Sequence, residues 1–125
     1  MTYRILIVED EALIGLDLAS AFEDAGFEPV GVVSNMSTAL RMAAEHRIDL
    51  ATMDVQLAQN TDGVETAIKL WELHSIQSVF VSGSLDPKTR VRAAAAQPIG
   101  FMHKPIGADA VVAFVKQHFA AGGAA

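Results

Sequence analysis

Five short, unbroken apolar runs constrain this chain more than anything else in it: Ile5 to Val8, Pro29 to Val33, Leu50 to Met53, Val79 to Val81, and Ile99 to Met102. Each is 3–5 residues long and most are rich in β-branched side chains. Continuous rather than alternating apolarity predicts strands covered on both faces. The segments between them have helical period. Ile14, Leu18, Phe22 and Ala25 share one stripe, Val64, Ala67, Ile68 and Trp71 another, and Val111, Val112, Val115 and Phe119 a third.

Helix boundaries are also written in the chain. Asp86-Pro87 sets a capping acceptor before a proline at the first helical position. Asp62 followed by Glu65 has capping-box spacing, and Gly26 sits where the first helix needs a C-terminal stop. Ala93 to Ala96 reads as good helix former packed near a neighbour. Strands alternating with helices predict an α/β fold, a doubly wound parallel sheet of five strands with helices on both faces. A chain of 125 residues supports one core. The expected domain covers residues 1–120, with a flexible tail at 121–125.

Composition removes several function classes. The 51% apolar content provides a core, and nine basic against fifteen acidic residues leave a net charge of −6, so a nucleic acid is not the expected partner. No cysteine is present, which excludes a thiolate metal site and a cysteine nucleophile. No apolar run reaches the roughly 20 residues of a membrane span. The N-terminus lacks the pattern of a signal peptide, and a cytoplasmic location is expected.

In doubly wound sheets ligands bind outside the carboxyl ends of the strands. Glu9, Asp10 and Glu11 follow the first apolar run, Asp54 the third, Ser82 and Gly83 the fourth, and His103-Lys104-Pro105 the fifth. Singly, each has a plain explanation: acids at a helix start satisfy its dipole, an Asp after a strand caps or turns, a serine bonds nearby backbone, a lysine is solvated. Together they fall on one sheet edge. Crowded carboxylates call for a hard cation with oxygen ligands, and Mg²⁺ suits a few carboxylates plus waters and a phosphate. An Asp nucleophile, a metal, a lysine and a hydroxyl are the parts phosphoryl transfer uses. His46, His74, His103 and His118 show no paired ligand spacing, so no zinc site is expected. Met36, Met42, Met53, Met102 and Trp71 are expected in the core.

Glu9-Asp10, Asp54, Ser82 and Lys104-Pro105, in this order and spacing, resemble the receiver domain of two-component response regulators, from Arg4 to about Phe119. The resemblance implies a (βα)5 flavodoxin-like fold with strand order 2-1-3-4-5. It implies that Asp54 accepts a phosphoryl group from a histidine kinase or a histidine phosphotransfer protein. Glu9, Asp10, Asp54 and the backbone carbonyl of Gln56 would hold Mg²⁺, Ser82 and Lys104 would bind the phosphoryl oxygens, and Lys104-Pro105 would be a cis peptide. Phe101 matches the family's aromatic switch position, paired with Ser82; a plain core role for it stays equally open. The loop departs from the family pattern: Ala58 stands where a proline is usual, and Gly63 comes one residue late.

The implied function is a phosphorylation-switched signalling module rather than an enzyme. The chain ends soon after its fifth helical segment, so output is expected through contact with a downstream protein, with no nucleic acid or membrane involved. The expected docking face carries Arg90, Arg92, Lys116 and Val112. A phosphate sink or relay is the alternative. A haloacid-dehalogenase-type phosphatase also uses an Asp nucleophile, but Asp54-Val55-Gln56 lacks the second acid of Asp-x-Asp. A flavodoxin-type FMN binder needs a phosphate loop after the first strand, where Glu9-Asp10-Glu11 would repel the phosphate.

Overall fold

A computed structural model describes residues 2–122 of the chain. The apolar runs form β1 (Arg4–Val8), β2 (Glu28–Val33), β3 (Leu50–Met53), β4 (Ser78–Ser82) and β5 (Gly100–His103). The periodic segments form α1 (Ala12–Asp24), α2 (Met36–Glu45), α3 (Gly63–His74), α4 (Pro87–Ala93) and α5 (Ala108–Ala120). All strand pairings are parallel and the order is β2-β1-β3-β4-β5, as the resemblance implies. The expected tail at 121–125 falls mostly outside the described residues, which end with Ala121 and Gly122 in a turn.

Strand pleat divides the core in two. Leu6, Val8, Met53 and Phe80 pack with side chains of α2, α3 and α4 on one face. Ile5, Ile7, Leu50, Val79 and Val81 pack with α1 and α5 on the other. Successive residues of one strand thus serve opposite layers, which is why the runs are unbroken.

The expectation of two-sided burial holds for β1, β3 and β4, apart from the half-buried Arg4, but not for β2 and β5, most of whose residues are half-buried. These are edge strands, each with a neighbour on one side only. Val111, Val112, Val115 and Phe119 are all buried, as their spacing predicts. Ala25 is exposed because α1 has already ended at Asp24, and Trp71 is half-buried because Val64, Ala67 and Leu70 occupy the inward stripe of α3. Met53 is fully buried, whereas Met36, Met42 and Met102 are half-buried.

The predicted caps form. Asp86 Oδ1 accepts from the Thr89 amide at 2.8 Å, with Pro87 in the first helical turn. Asp62 Oδ1 accepts from the Val64 amide at 2.8 Å. Gly26 has φ of 92° and its amide bonds the Glu23 carbonyl, the left-handed stop that glycine makes without strain. The alanine run splits: α4 ends at Ala93, a 3-10 turn spans Ala94–Ala96, and the buried Ala93 and Ala96 belong to the core layer that α3 also joins.

Candidate functional site

Each functional side chain sits on backbone that extends the sheet's hydrogen bonding past a strand end. Glu9 donates its amide to the Val33 carbonyl at 2.8 Å, and Asp54 to Val8 at 3.0 Å. Lys104 donates its amide to the Ser82 carbonyl at 3.0 Å, and Ser82 is itself the last residue of β4. The carboxyl ends of β1, β3, β4 and β5 therefore deliver four side chains to one point.

There, Ser82 Oγ donates to Asp54 Oδ1 at 2.7 Å, and Lys104 Nζ donates to Asp54 Oδ2 at 3.0 Å and Glu9 Oε1 at 2.7 Å. Glu11 pairs more loosely with the same ammonium, at 3.8 Å. Glu9 is 3% and Asp54 7% exposed, while Asp10 and Glu11 face solvent. An open hollow of about 280 Å³ lies over the cluster, lined by Asp10, Asp54, Gln56, Ser82, Ser84 and Lys104 among others.

Burial would raise the Asp54 carboxyl, but the Ser82 hydroxyl, Glu9 and the Lys104 ammonium outweigh it and hold the group below its ordinary range. Asp54 is therefore an anion at neutral pH. Glu9 is the opposite case: burial pushes it to about 7, against the pull of Lys104 and with the nearby Asp54 charge adding to the rise. Burial disfavours the Lys104 cation, yet the bonds to Glu9 and Asp54 keep its proton more firmly held than usual.

Glu9, Asp10, Glu11 and Asp54 each offer a carboxylate oxygen, all within 4.8 Å of one another. One lysine does not neutralise four acids, and the donors are hard oxygens, two of them on solvent-facing residues. That donor set fits Mg²⁺, the ion receiver domains generally bind at such a cluster. Among the described residues no histidine joins this carboxylate cluster.

The loop after Asp54 absorbs the late glycine by an irregular turn. Ala58–Asn60 make a 3-10 turn in which Gln59 and Asn60 take left-handed φ of 61° and 55°. The loop then closes on itself through a Gln56–Asp62 backbone bridge and a Gly63 amide bond to the Val55 carbonyl at 2.7 Å. A Cβ on Gly63 would lie 1.7 Å from the Asp54 carbonyl oxygen, so only glycine lets α3 start this close to the acid.

Other expectations divide. Lys104-Pro105 is cis. Phe101 is half-buried, stacked on Phe80 with centroids 5.5 Å apart, and the Arg90 guanidinium lies 5.0 Å over its ring. Arg90 and Arg92 are exposed, as expected of a docking face. Val112 is not: it is buried, because it belongs to the inward stripe of α5. Lys116 is exposed but lines a hollow with Tyr3, Gly26 and Phe27, at the opposite end of the sheet from the acids. Three contributions were not assigned from sequence. Glu11 joins the cluster, and its place in the Glu9–Glu11 acid run was the available signal. Ser84, two residues after Ser82 at a position where the resemblance implies a residue beside the path of an attacking water, offers its amide to Ser82 Oγ at 3.2 Å, and Arg92 pairs with Asp62 at 2.8 Å; no local pattern marks either bond.

A five-stranded doubly wound sheet whose strand ends gather an aspartate, a hydroxyl, an ammonium and further acids defines a CheY-like receiver. One solved receiver of that type, from Methanospirillum hungatei JF-1, superposes with a TM-score of 0.89 at 21% identity, covering 97% of this chain and 96% of that one. The chain belongs to the response regulator receiver domain family, whose pattern it matches over residues 5–116, and so to two-component signalling. It is 33% identical to the signal receiver domain of a modulated diguanylate cyclase from Desulfovibrio desulfuricans G20, with a TM-score of 0.84 and coverage of 94% and 93%. It is 28% identical to the chemotaxis protein CheY of Bacillus subtilis, over 90% of this chain and 93% of that protein. It is 29% identical to the phyllosphere-induced regulator PhyR of Methylorubrum extorquens, over 94% of this chain but 43% of PhyR. It is 40% identical to the transcriptional regulatory protein PdtaR of Mycobacterium tuberculosis, over 54% of this chain and 32% of PdtaR. The chain thus spans less than half the length of these last two regulators. Nothing in these comparisons supports a haloacid-dehalogenase-type phosphatase. Receivers such as CheY are signalling proteins rather than enzymes in the ordinary sense. Among the described residues no helix is long and apolar enough to cross a membrane.

Proposed function

We propose that the chain is a phosphorylation-switched receiver whose acceptor is Asp54. The observation that carries this reading is the setting of that carboxylate: anionic, nearly buried, at the end of the central strand, with one oxygen on the Ser82 hydroxyl and the other on the Lys104 ammonium. The donor is a phosphohistidine of a sensor kinase or phosphotransfer protein. A carboxylate oxygen of Asp54 attacks phosphorus, the O–P bond forms and the P–N bond breaks. The bonding pair leaves on the imidazole nitrogen, which takes up a proton. Ser82 and Lys104, each within hydrogen-bond distance of an Asp54 oxygen, would bind the oxygens of the transferred group. Glu9, Asp10, Asp54 and the Gln56 carbonyl would hold Mg²⁺, which when bound supplies positive charge to those oxygens. Leu13 and Leu16 on α1, the helix that follows Glu11 at the rim of the hollow, are 82% and 60% exposed and offer apolar contact to a donor protein. Output is by contact with a downstream protein.

The test is phosphotransfer to wild type and to Asp54→Asn, from histidine kinases and from acetyl phosphate, with Mg²⁺ or with excess chelator. Wild type labels only with Mg²⁺, and Asp54→Asn folds but does not label. Stoichiometric labelling of the variant at another residue overturns the acceptor, and labelling unchanged by chelator overturns the metal site.

A further inference from the structure

Helix α4 is tied to the site at both of its ends. At its start, the connection from β4 is pinned by the Ser84 amide donating to Ser82 Oγ at 3.2 Å, the same hydroxyl that donates to Asp54. Near its end, Arg92 Nη1 donates to Asp62 Oδ2 at 2.8 Å. Asp62 is the junction of the acid-bearing loop with α3. Its other oxygen caps α3 at the Val64 amide, and its backbone bridges Gln56. The loop between Val55 and Asp62 is otherwise irregular, with two left-handed residues. Between them, the two ties run from Asp54 through α4 and back to the loop that begins at Asp54.

We propose that the Asp62–Arg92 pair is a latch that holds α4 in its resting place against the β3–α3 loop, so that releasing it makes the site easier to occupy. This rests on Asp54 being the acceptor. A phosphoryl group draws the Ser82 hydroxyl away from its bond to Ser84, which frees the start of α4. Movement of α4 must then stretch or break Arg92–Asp62. Interaction energy stored in the latch therefore opposes occupation of the site, and by reciprocity its removal favours it. Both side chains reach solvent, so the effect is modest, a factor of about two to five in affinity.

The test uses beryllofluoride with Mg²⁺ as the phosphoryl probe, on the full chain and on Arg92→Gln, Asp62→Asn and the double variant. Asn keeps a capping acceptor for α3, so Asp62→Asn removes the charge pair without removing the cap. Each single variant binds beryllofluoride about two- to five-fold more tightly than wild type, and the double variant no more tightly than either single. Amide exchange in probe-free protein rises in α4 for both singles. A stiffening or purely structural pair would weaken binding or leave it unchanged; either result, or additive effects in the double variant, overturns the latch. Unchanged α4 exchange in Arg92→Gln overturns it too. Failure of wild type to bind the probe instead overturns the acceptor reading, and the exchange comparison still decides whether the pair restrains α4.

Discussion

At the scale of single residues, the site is a problem of crowded charge that one ammonium meets only in part. Lys104 touches Glu9 and Asp54 directly, and the two acids respond in opposite directions because Asp54 also has the Ser82 hydroxyl. Asp54, Ser82 and Lys104 were legible because each stands at the end of an apolar run, and the topology of such runs puts their ends on one edge. The partners of Glu9 were not legible: its contact with Lys104 spans 95 residues and depends on β1 and β5 lying on opposite sides of β3 and β4. Gln56 and Ser84 line the hollow beside Asp54 without bonding to it. The receiver resemblance implies that these two positions flank the path of an attacking water, so exchanging either is expected to change the rate at which phosphorylated protein loses its phosphoryl group while leaving phosphorylation itself possible. Decay measured after kinase removal checks this, with single and double variants differing from wild type. Among the described residues, Ser78 Oγ is buried without a hydrogen-bond partner. Ser78→Ala is expected to stabilise the fold by about 1 kcal/mol, since an unmet buried hydroxyl is lost, and urea unfolding measures it.

At the scale of elements, α3 shows how tightly local sequence and site geometry are joined. Its start is set by the Asp62 cap, and its closeness to β3 by the missing side chain of Gly63. The cap was readable from Asp62 and its spacing to Glu65; the closeness was not, because a glycine one residue late gives no hint of what it approaches. Gly63→Ala is expected to destabilise the protein by roughly 2 kcal/mol or more and to lower phosphorylation of the folded fraction, because the Asp54 carbonyl must move to admit the methyl group. Thermal unfolding and acetyl phosphate labelling read the two effects. For Asp62, burial would raise the carboxyl, but the bonds from Arg92 and the α3 amides hold it below its ordinary range. A lowered carboxyl means the unfolded chain binds its proton more readily, so the contribution to stability is complete above the ordinary carboxylate range and lost as pH falls through the folded value. The stability difference between wild type and Asp62→Asn is thus expected to shrink on acidification, as denaturant midpoints at neutral and acid pH would register. The docking residues expected from sequence divided for similar reasons. Val112 belonged to the inward stripe of α5 by its own spacing, whereas the placement of Lys116 beside Tyr3 and Phe27 depends on how α5 lies across α1, which spacing does not encode.

At the scale of the whole molecule, the proposed output requires a chemical event at one edge of the sheet to reach a surface that a partner can read. The order β2-β1-β3-β4-β5 puts Asp54 next to β4, and β4 next to β5, so Ser82 and Phe101 stand on adjacent strands. Phe101 stacks on Phe80, itself in register with Met53, the last residue of β3 before Asp54, and Arg90 of α4 covers the ring. The ring is half-buried, and in the proposed switch it would turn inward as Ser82 moves, withdrawing support from Arg90 and altering the surface of α4 and β5. A wholly buried Phe101 would not allow this. Coupling between two such sites is typically about 1–3 kcal/mol, which makes a downstream partner discriminate phosphorylated from unphosphorylated protein by roughly 5–150-fold. Ser82→Ala keeps Asp54 beside Lys104, so it is expected to accept the phosphoryl group. It lacks the hydroxyl that links Asp54 to the Ser84 amide, so most of the discrimination is lost. Titration of a physiological partner against both proteins, each with and without beryllofluoride, separates the two properties. Equal partner affinity for the two states of wild type would mean that the phosphoryl group is stored or passed on rather than read, and the chain would then act as a phosphate sink or relay.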